Sequence, residues 1–300
     1  MEPKPVTTRR TAIAATLAMA FSRPTLLIGE NNTQLQTRLA EIEHHSQGRL
    51  GVALLDTATG RITGFRTTQR FPMCSTFKAL AVALVLRRVD QGQEQLTRRV
   101  PVASTDLLPY APTVEKRIAA GFMTVAELCE AAVTLSDNAA ANLLLASFGG
   151  PPAVTAFLRS VGDTRTRLDR NEPTLNSSIP GDPRDTTTPA AMASTMSRLA
   201  LADVLTPASR TQLCEWLIAC TTGVSKLRAG FPAGTKIGDK TGSGDNGTNN
   251  DAAIVWLPGR KPLVIASYLT GSPLAAPDLN GIHAEVGRAI VDSLGIARLR

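Results

Sequence analysis

Two strand-forming stretches stand at opposite ends of the chain, and they constrain the fold more than any other feature. "LGVALLDTATGRITGFR" (50–66) has two strand-like runs around a turn at Thr57 to Gly60, and "AAIVWLPGRKPLVIASYLTG" (252–271) repeats that pattern around "PGRK". Between them, "STFKALAVALVLRRVDQGQ", "TVAELCEAAVTLSDNAAANLLLASFGG", "PPAVTAFLRSVG" and "TPAAMASTMSRLAL" read as helices with Gly or Pro stops, and "GIHAEVGRAIVDSLG" adds a helix near the C-terminus. Hairpins at both ends pair most simply into one antiparallel sheet, with terminal helices on a face and the helical middle as a second lobe. The expected class is therefore α/β (α+β): an antiparallel sheet from both chain ends covered by helices, plus an all-helical lobe, with the active site between them. Residues 21–66 and 217–300 would form the sheet-containing lobe and 67–216 the helical one. "RTRLDRNEPTLNSSIPGDPRDTTTP" is too polar and proline-rich for either element, and residues 165–185 form an omega-like loop, of a length that is usually functional.

Residues 1–20 read as an export signal: polar "MEPKPVTTRR", apolar "TAIAATLAMA", and Ala18-Met19-Ala20 as a small-x-small cleavage site. Arg9-Arg10 resembles a twin-arginine signal, and Sec export fits nearly as well, so the mature chain is expected in the periplasm or secreted. The apolar run is too short for a permanent anchor, and no membrane association is expected after signal removal. A formal charge of +7 invites a nucleic-acid reading, but the basic residues are dispersed and only 4% of residues are aromatic. No nucleic-acid partner is expected, and the chain is read as a monomer. Four cysteines in an exported chain ordinarily suggest disulfides, yet Cys214 and Cys220 in "CEWLIAC" would lie on different faces of a helix. Cys74 and Cys129 sit in apolar contexts, and no spacing suggests a metal or other cofactor.

"FPMCSTFKAL" contains Ser75 and Lys78 three residues apart, which on a helix share a face. Either Ser75 caps the helix, or it is a nucleophile beside a lysine whose desolvation lowers its pKa. At a helix start, unpaired N–H groups could also stabilise an oxyanion. Three further stretches favour the second reading: Ser136-Asp137-Asn138 at the end of a helical run, Glu172 and Asn176 in the polar loop, and Lys240-Thr241-Gly242 followed by Ser243 on a glycine-bearing strand.

The order and spacing of S-x-x-K, S-D-N, E-x-x-x-N and K-T-G resemble the class A serine β-lactamases, over roughly Leu50 to Gly295. The resemblance implies acylation of Ser75 by a β-lactam, with the Ser75 and Ser243 N–H groups as oxyanion hole. It implies that Lys78, or Glu172 through a water, takes the serine proton, that Ser136 protonates the leaving nitrogen, and that Glu172 with Asn176 activates the hydrolytic water. Lys240, Thr241, Gly242 and Ser243 would bind the substrate, Asn138 would meet its side-chain amide, and Tyr110 would wall the mouth of the site unless it is simply a half-buried aromatic. Arg170 and Asp185 would close the omega loop. Relatives often supply an arginine to the carboxylate pocket; the matching positions here hold Lys226 and Asn249. Family disulfides at Cys74 and Cys129 would need cysteines where Gly244 and Val82 stand, so none is expected.

Gly242, Gly244 and Gly247 spell a dinucleotide fingerprint but lead into a strand instead of a helix. No G-x-S-x-G elbow is present, and three scattered histidines do not make a zinc site. The rival functions are a penicillin-binding D,D-peptidase and an acylated β-lactam sensor. Glu172 with Asn176 argues against the first, and the lack of a membrane-spanning run after the expected signal argues against the second.

Overall fold

The computed structural model describes residues 1–3 and 25–296 of the chain, so the export signal expected at residues 1–20 lies almost wholly outside the described residues. Helix α1 (Thr25–Ser46) leads into the hairpin β1 (Arg49–Asp56) and β2 (Arg61–Phe65). A short strand, β3 (Phe71–Pro72), and a 3₁₀ turn at Cys74–Thr76 open α2 (Phe77–Asp90). The middle continues through β4 (Arg99–Pro101), the single turn α3 (Val114–Arg117), β5 (Phe122–Thr124), α4 (Val125–Thr134), α5 (Asn138–Ser147) and α6 (Gly150–Ser160). After the polar loop come β6 (Thr186–Thr187), α7 (Pro189–Leu201) and α8 (Pro207–Ile218). Strands β7 (Lys236–Gly244), β8 (Thr248–Trp256) and β9 (Leu263–Thr270) and helix α9 (Ala276–Ser293) complete the chain.

The two ends meet as the hairpins imply. One antiparallel sheet runs β2-β1-β9-β8-β7, with Ala53 opposite Ala266 where the N-terminal hairpin joins the C-terminal strands. Side chains alternate across a strand, so each sheet face has its own core. On the outer face Val52, Leu54, Ala253, Val255 and Ile265 pack with Leu35, Leu39 and Ile42 of α1 and Ile282, Val286 and Ile290 of α9. On the inner face Ala53, Leu55, Ala252, Ile254, Val264 and Ala266 join the core of the helical middle. Helix α2 is buried around almost its whole circumference, a burial that its Ala, Leu and Val content permits. Lys78 is carried into that core with no exposed surface.

Two stretches depart from their sequence reading. The helical run read as ending at Ser136-Asp137-Asn138 does end there, Ser136 taking a φ of 61° in the left-handed region, but a second helix starts at once, with Asp137 as its cap accepting a hydrogen bond from Ala140 N. The break turns Ser136 and Asn138 toward Lys78, which a continuous helix would not do. Helix α8 ends at Ile218, so Cys220 lies beyond it and does not share a helix with Cys214. All four cysteines are free. Residues 165–185 contain only a 3₁₀ turn at Thr174–Ser177, and the loop closes where β6 pairs with β3. Among the described residues no single helix is long and apolar enough to cross a membrane.

Candidate active site

The turn bearing Ser75 is held from three sides. Met73 N donates to Asp185 O at 2.8 Å, and Asn250 Nδ2 donates to both Pro72 O and Met73 O at 3.0 Å. Gly242 lets β7 approach: a Cβ there would lie 2.7 Å from Met73 O and 3.2 Å from Ser75 N. Cys74, at φ 45°, takes the left-handed conformation that redirects the chain into α2. The capping role is not the one Ser75 takes. Its hydroxyl donates to Glu172 Oε1 at 3.2 Å.

Lys78 fills its three donors inside the protein. Nζ donates to Ser136 O at 2.8 Å and Asn138 Oδ1 at 2.6 Å, and it pairs with Glu172 Oε1 at 2.9 Å; Ser136 Oγ is further, at 3.5 Å. Burial pulls the Lys78 ammonium below its ordinary range, opposed by the Glu172 carboxylate. An unpaired ammonium here would cost several kcal/mol, about the penalty for a buried ion, so these partners are what keep it buried.

Glu172 is placed by its loop and by two asparagines. Asn176 Nδ2 donates to Glu172 Oε2 at 2.5 Å. Asn142 grips the backbone, its Nδ2 donating to Glu172 O at 2.8 Å while Glu172 N donates to its Oδ1 at 3.0 Å. Arg170 Nε donates to Asp185 Oδ2 at 2.5 Å, and Asp185 Oδ1 accepts from the N–H groups of Asp169 and Arg170. This clamp ties the two ends of the 165–185 loop together.

The wall opposite is β7, an edge strand. Lys240 is fully buried, with Nζ donating to Ser136 Oγ and Thr241 O, both at 2.9 Å. Burial, reinforced by the positive charges of Lys78 and Lys226, pushes its pKa down to about 7. Thr241 Oγ1 lies 2.5 Å from Thr222 Oγ1, and Ser243 is exposed at the strand end. Tyr110 is 59% exposed, more open than a half-buried aromatic, and its carbonyl accepts from Asn138 N at 3.0 Å. Asn138 also donates through Nδ2 to Pro109 O, so its amide bridges this loop to Lys78.

Lys226 and Asn249 lie inward. Lys226 is 3% exposed and donates to Asn250 O at 3.1 Å, beside Asp251, while Asn249 Nδ2 donates to Asn280 Oδ1. Cys74 sits behind the nucleophile, and burial pushes its thiol up to about 12. A Cβ on Gly244 would lie 2.7 Å from Cys74 Sγ and 2.6 Å from Asn176 O, so a side chain there, cysteine included, would need the neighbouring chain to shift. Among the described residues no group of His, Cys, Asp and Glu could hold a metal ion.

The sequence reading missed Asn142, Asn250 and Thr222. Asn142 alone had a signal: it lies one helical turn beyond Asn138 in an otherwise Ala- and Leu-rich segment.

A serine hydroxyl donating to a carboxylate, beside two buried lysines and a second serine, defines a serine hydrolase built for acyl transfer. The sequence model of the β-lactamase enzyme family matches residues 34–294, and the chain belongs to that family. It is 48% identical over 258 residues to β-lactamase CTX-M-8 of Citrobacter amalonaticus, spanning 86% of this chain and 88% of that one. Toho-1 of Escherichia coli is 49% identical over 258 residues, with the same two coverages. Among solved structures, the ancestral (GNCA) class A β-lactamase superposes with a TM-score of 0.85 at 60% identity, covering 86% of this chain and 99% of its own.

Proposed function

We propose that the chain opens the β-lactam ring of penicillin- and cephalosporin-type antibiotics through an acyl-enzyme on Ser75 and then hydrolyses it, and so confers resistance. The observation that carries this reading is the hydrogen bond from Ser75 Oγ to Glu172 Oε1, because one carboxylate beside the nucleophile serves both halves of the reaction. In the first half the Ser75 proton passes to Glu172, whose Oε1 already accepts the Ser75 hydroxyl. The N–H groups of Ser75 and Ser243 stabilise the oxyanion, and Ser136, held by Lys240, passes its proton to the departing nitrogen. Ser136 is reprotonated from Glu172 through Lys78, which lies 2.9 Å from Glu172 Oε1 and 3.5 Å from Ser136 Oγ, so Glu172 is again a carboxylate. In the second half Glu172 and Asn176 hold and deprotonate the water that cleaves the ester.

Lys240, Thr241, Gly242 and Ser243 form the substrate edge, with the cation and hydroxyls suited to a carboxylate. Lys226, being buried, adds positive charge from beneath this pocket without touching the ligand. Tyr110 walls the mouth and Asn138 faces the substrate's side-chain amide. Substrate enters between the sheet lobe (21–66 and 217–300) and the helical lobe (67–216). The chain acts as an exported monomer, periplasmic or secreted, with no nucleic acid as partner and no membrane anchor after signal removal.

A D,D-peptidase or a sensor acylated by β-lactams would lack a carboxylate so placed for deacylation. The test is steady hydrolysis of benzylpenicillin and of a cephalosporin, followed by loss of ring absorbance. Turnover that Ser75→Ala abolishes supports the reading; turnover undiminished in that variant contradicts it.

A further inference from the structure

A concave surface of about 490 Å³ lies between α6 and the stem of the 165–185 loop, lined in part by Arg70, Thr155, Arg159, Arg167 and Asp169. Arg167 is neutralised by Asp169, its Nη2 lying 2.5 Å from Oδ1. The others are not. Arg70 Nη1 donates to Arg165 O at 2.9 Å and Thr186 Oγ1 at 3.0 Å, and Arg159 Nη1 donates to Asp163 O and, at 2.7 Å, to Thr166 O. These acceptors are all uncharged. Asp163 offsets part of this charge through space but pairs with neither guanidinium, its buried carboxylate accepting instead from Arg165 N, Thr166 N and the hydroxyls of Thr166 and Thr195. Among the described residues, Arg70, Arg159 and Arg165 form no ion pair with a carboxylate.

We propose that this concavity is a binding site for a phosphate-type oxyanion, held by Arg70 and Arg159 with Arg165 adding charge at its edge and the Arg167–Asp169 pair forming one wall. Guanidinium forks arriving from different elements suit a tetrahedral, multiply charged ligand better than a single planar carboxylate. The cluster is also self-repelling: burial, then the charges of Arg165, Arg167 and Arg159, hold the Arg70 guanidinium below its ordinary range. An anion would relieve that repulsion. Because Arg70 joins Arg165 O to Thr186 Oγ1, bound anion would also brace the loop stem from outside the catalytic cleft. The phosphate could be free or carried on an anionic lipid headgroup.

The test uses the purified mature chain titrated with inorganic pyrophosphate at low salt, followed by backbone amide chemical shifts. Saturable shifts at Thr155, Arg167 and Leu168, weakened about 10-fold by Arg159→Gln, are expected, since a charge-assisted hydrogen bond is lost. Arg165→Gln should weaken binding by about 3-fold; its guanidinium donates no hydrogen bond among the described residues, so this variant keeps the test usable if Arg159→Gln fails to fold. Cosedimentation with phosphatidylglycerol vesicles, displaced by pyrophosphate and absent with phosphatidylcholine, would identify the headgroup as a source; pyrophosphate binding without cosedimentation would identify the free anion. Absence of saturable shifts, or shifts that both folded variants leave unchanged, would overturn the proposal.

Discussion

Asn142 holds Glu172 by both ends of its amide, donating to Glu172 O at 2.8 Å and accepting from Glu172 N at 3.0 Å. The contact fixes the backbone that carries the carboxylate, independently of the loop's own closure. Asn142→Ala removes two hydrogen bonds, each worth about 1 kcal/mol in stability, and frees the carboxylate to drift. Deacylation should slow by about 10- to 100-fold while acyl-enzyme still forms, a split that single-turnover kinetics can read. Equal slowing of both steps would mean that Asn142 supports Ser75 as much as Glu172.

Lys240 predicts a pH dependence. Its pKa of about 7 lies below the ordinary 10.5 because the ammonium is buried. Between those values the unfolded chain holds a proton that the folded chain has released, so this group's contribution to stability rises with pH through that window and is lost as pH falls through it. Binding runs the other way, since only the ammonium attracts a carboxylate. For carboxylate-bearing substrates kcat/KM should fall above about pH 7, and Lys240→Arg, always charged, should move that limb upward. A profile unchanged in the arginine variant would assign the limb to another group.

Asp185 is fully buried and takes hydrogen bonds from Asp169 N, Arg170 N and Arg170 Nε. Asp185→Ala leaves those donors unmatched and should destabilise the fold by about 3 kcal/mol, with a smaller loss for Asp185→Asn, which keeps one acceptor. Thermal unfolding midpoints of the two variants measure the order.

Gly242 and Gly244 are steric requirements. A Cβ at 242 would lie 2.7 Å from Met73 O, and one at 244 would lie 2.6 Å from Asn176 O. Gly242→Ala should therefore impair acylation, by pushing on the Ser75 turn, and Gly244→Ala should impair deacylation, by pushing on Asn176. Burst kinetics on the two variants separate these steps.

What the sequence disclosed follows from what is local. The terminal hairpins carry their own period and turn residues, so the sheet was readable even though β1 and β9 lie more than two hundred residues apart. Ser75, Lys78, Glu172 and Lys240 were found through spacing and resemblance. The end of the helical run at Ser136-Asp137-Asn138 was readable because Ser, Asp and Asn favour caps over helix interiors, whereas the left-handed φ of Ser136 carried no such signal. Asn250 and Thr222 were hidden for another reason: each acts on a chain segment distant in sequence, Asn250 on the Ser75 turn and Thr222 on Thr241. Lys226, read as a candidate for the carboxylate pocket, is buried by packing and donates to Asn250 O of β8.

The most direct test of the account is a time course of intact mass for the mature chain mixed with excess benzylpenicillin, run beside Glu172→Ala. In the unmodified chain an adduct on Ser75 should appear briefly and vanish as hydrolysed penicillin accumulates, whereas in Glu172→Ala whatever adduct forms should persist. An adduct that persists in the unmodified chain, or rapid clearance in the variant, would contradict the role given to Glu172.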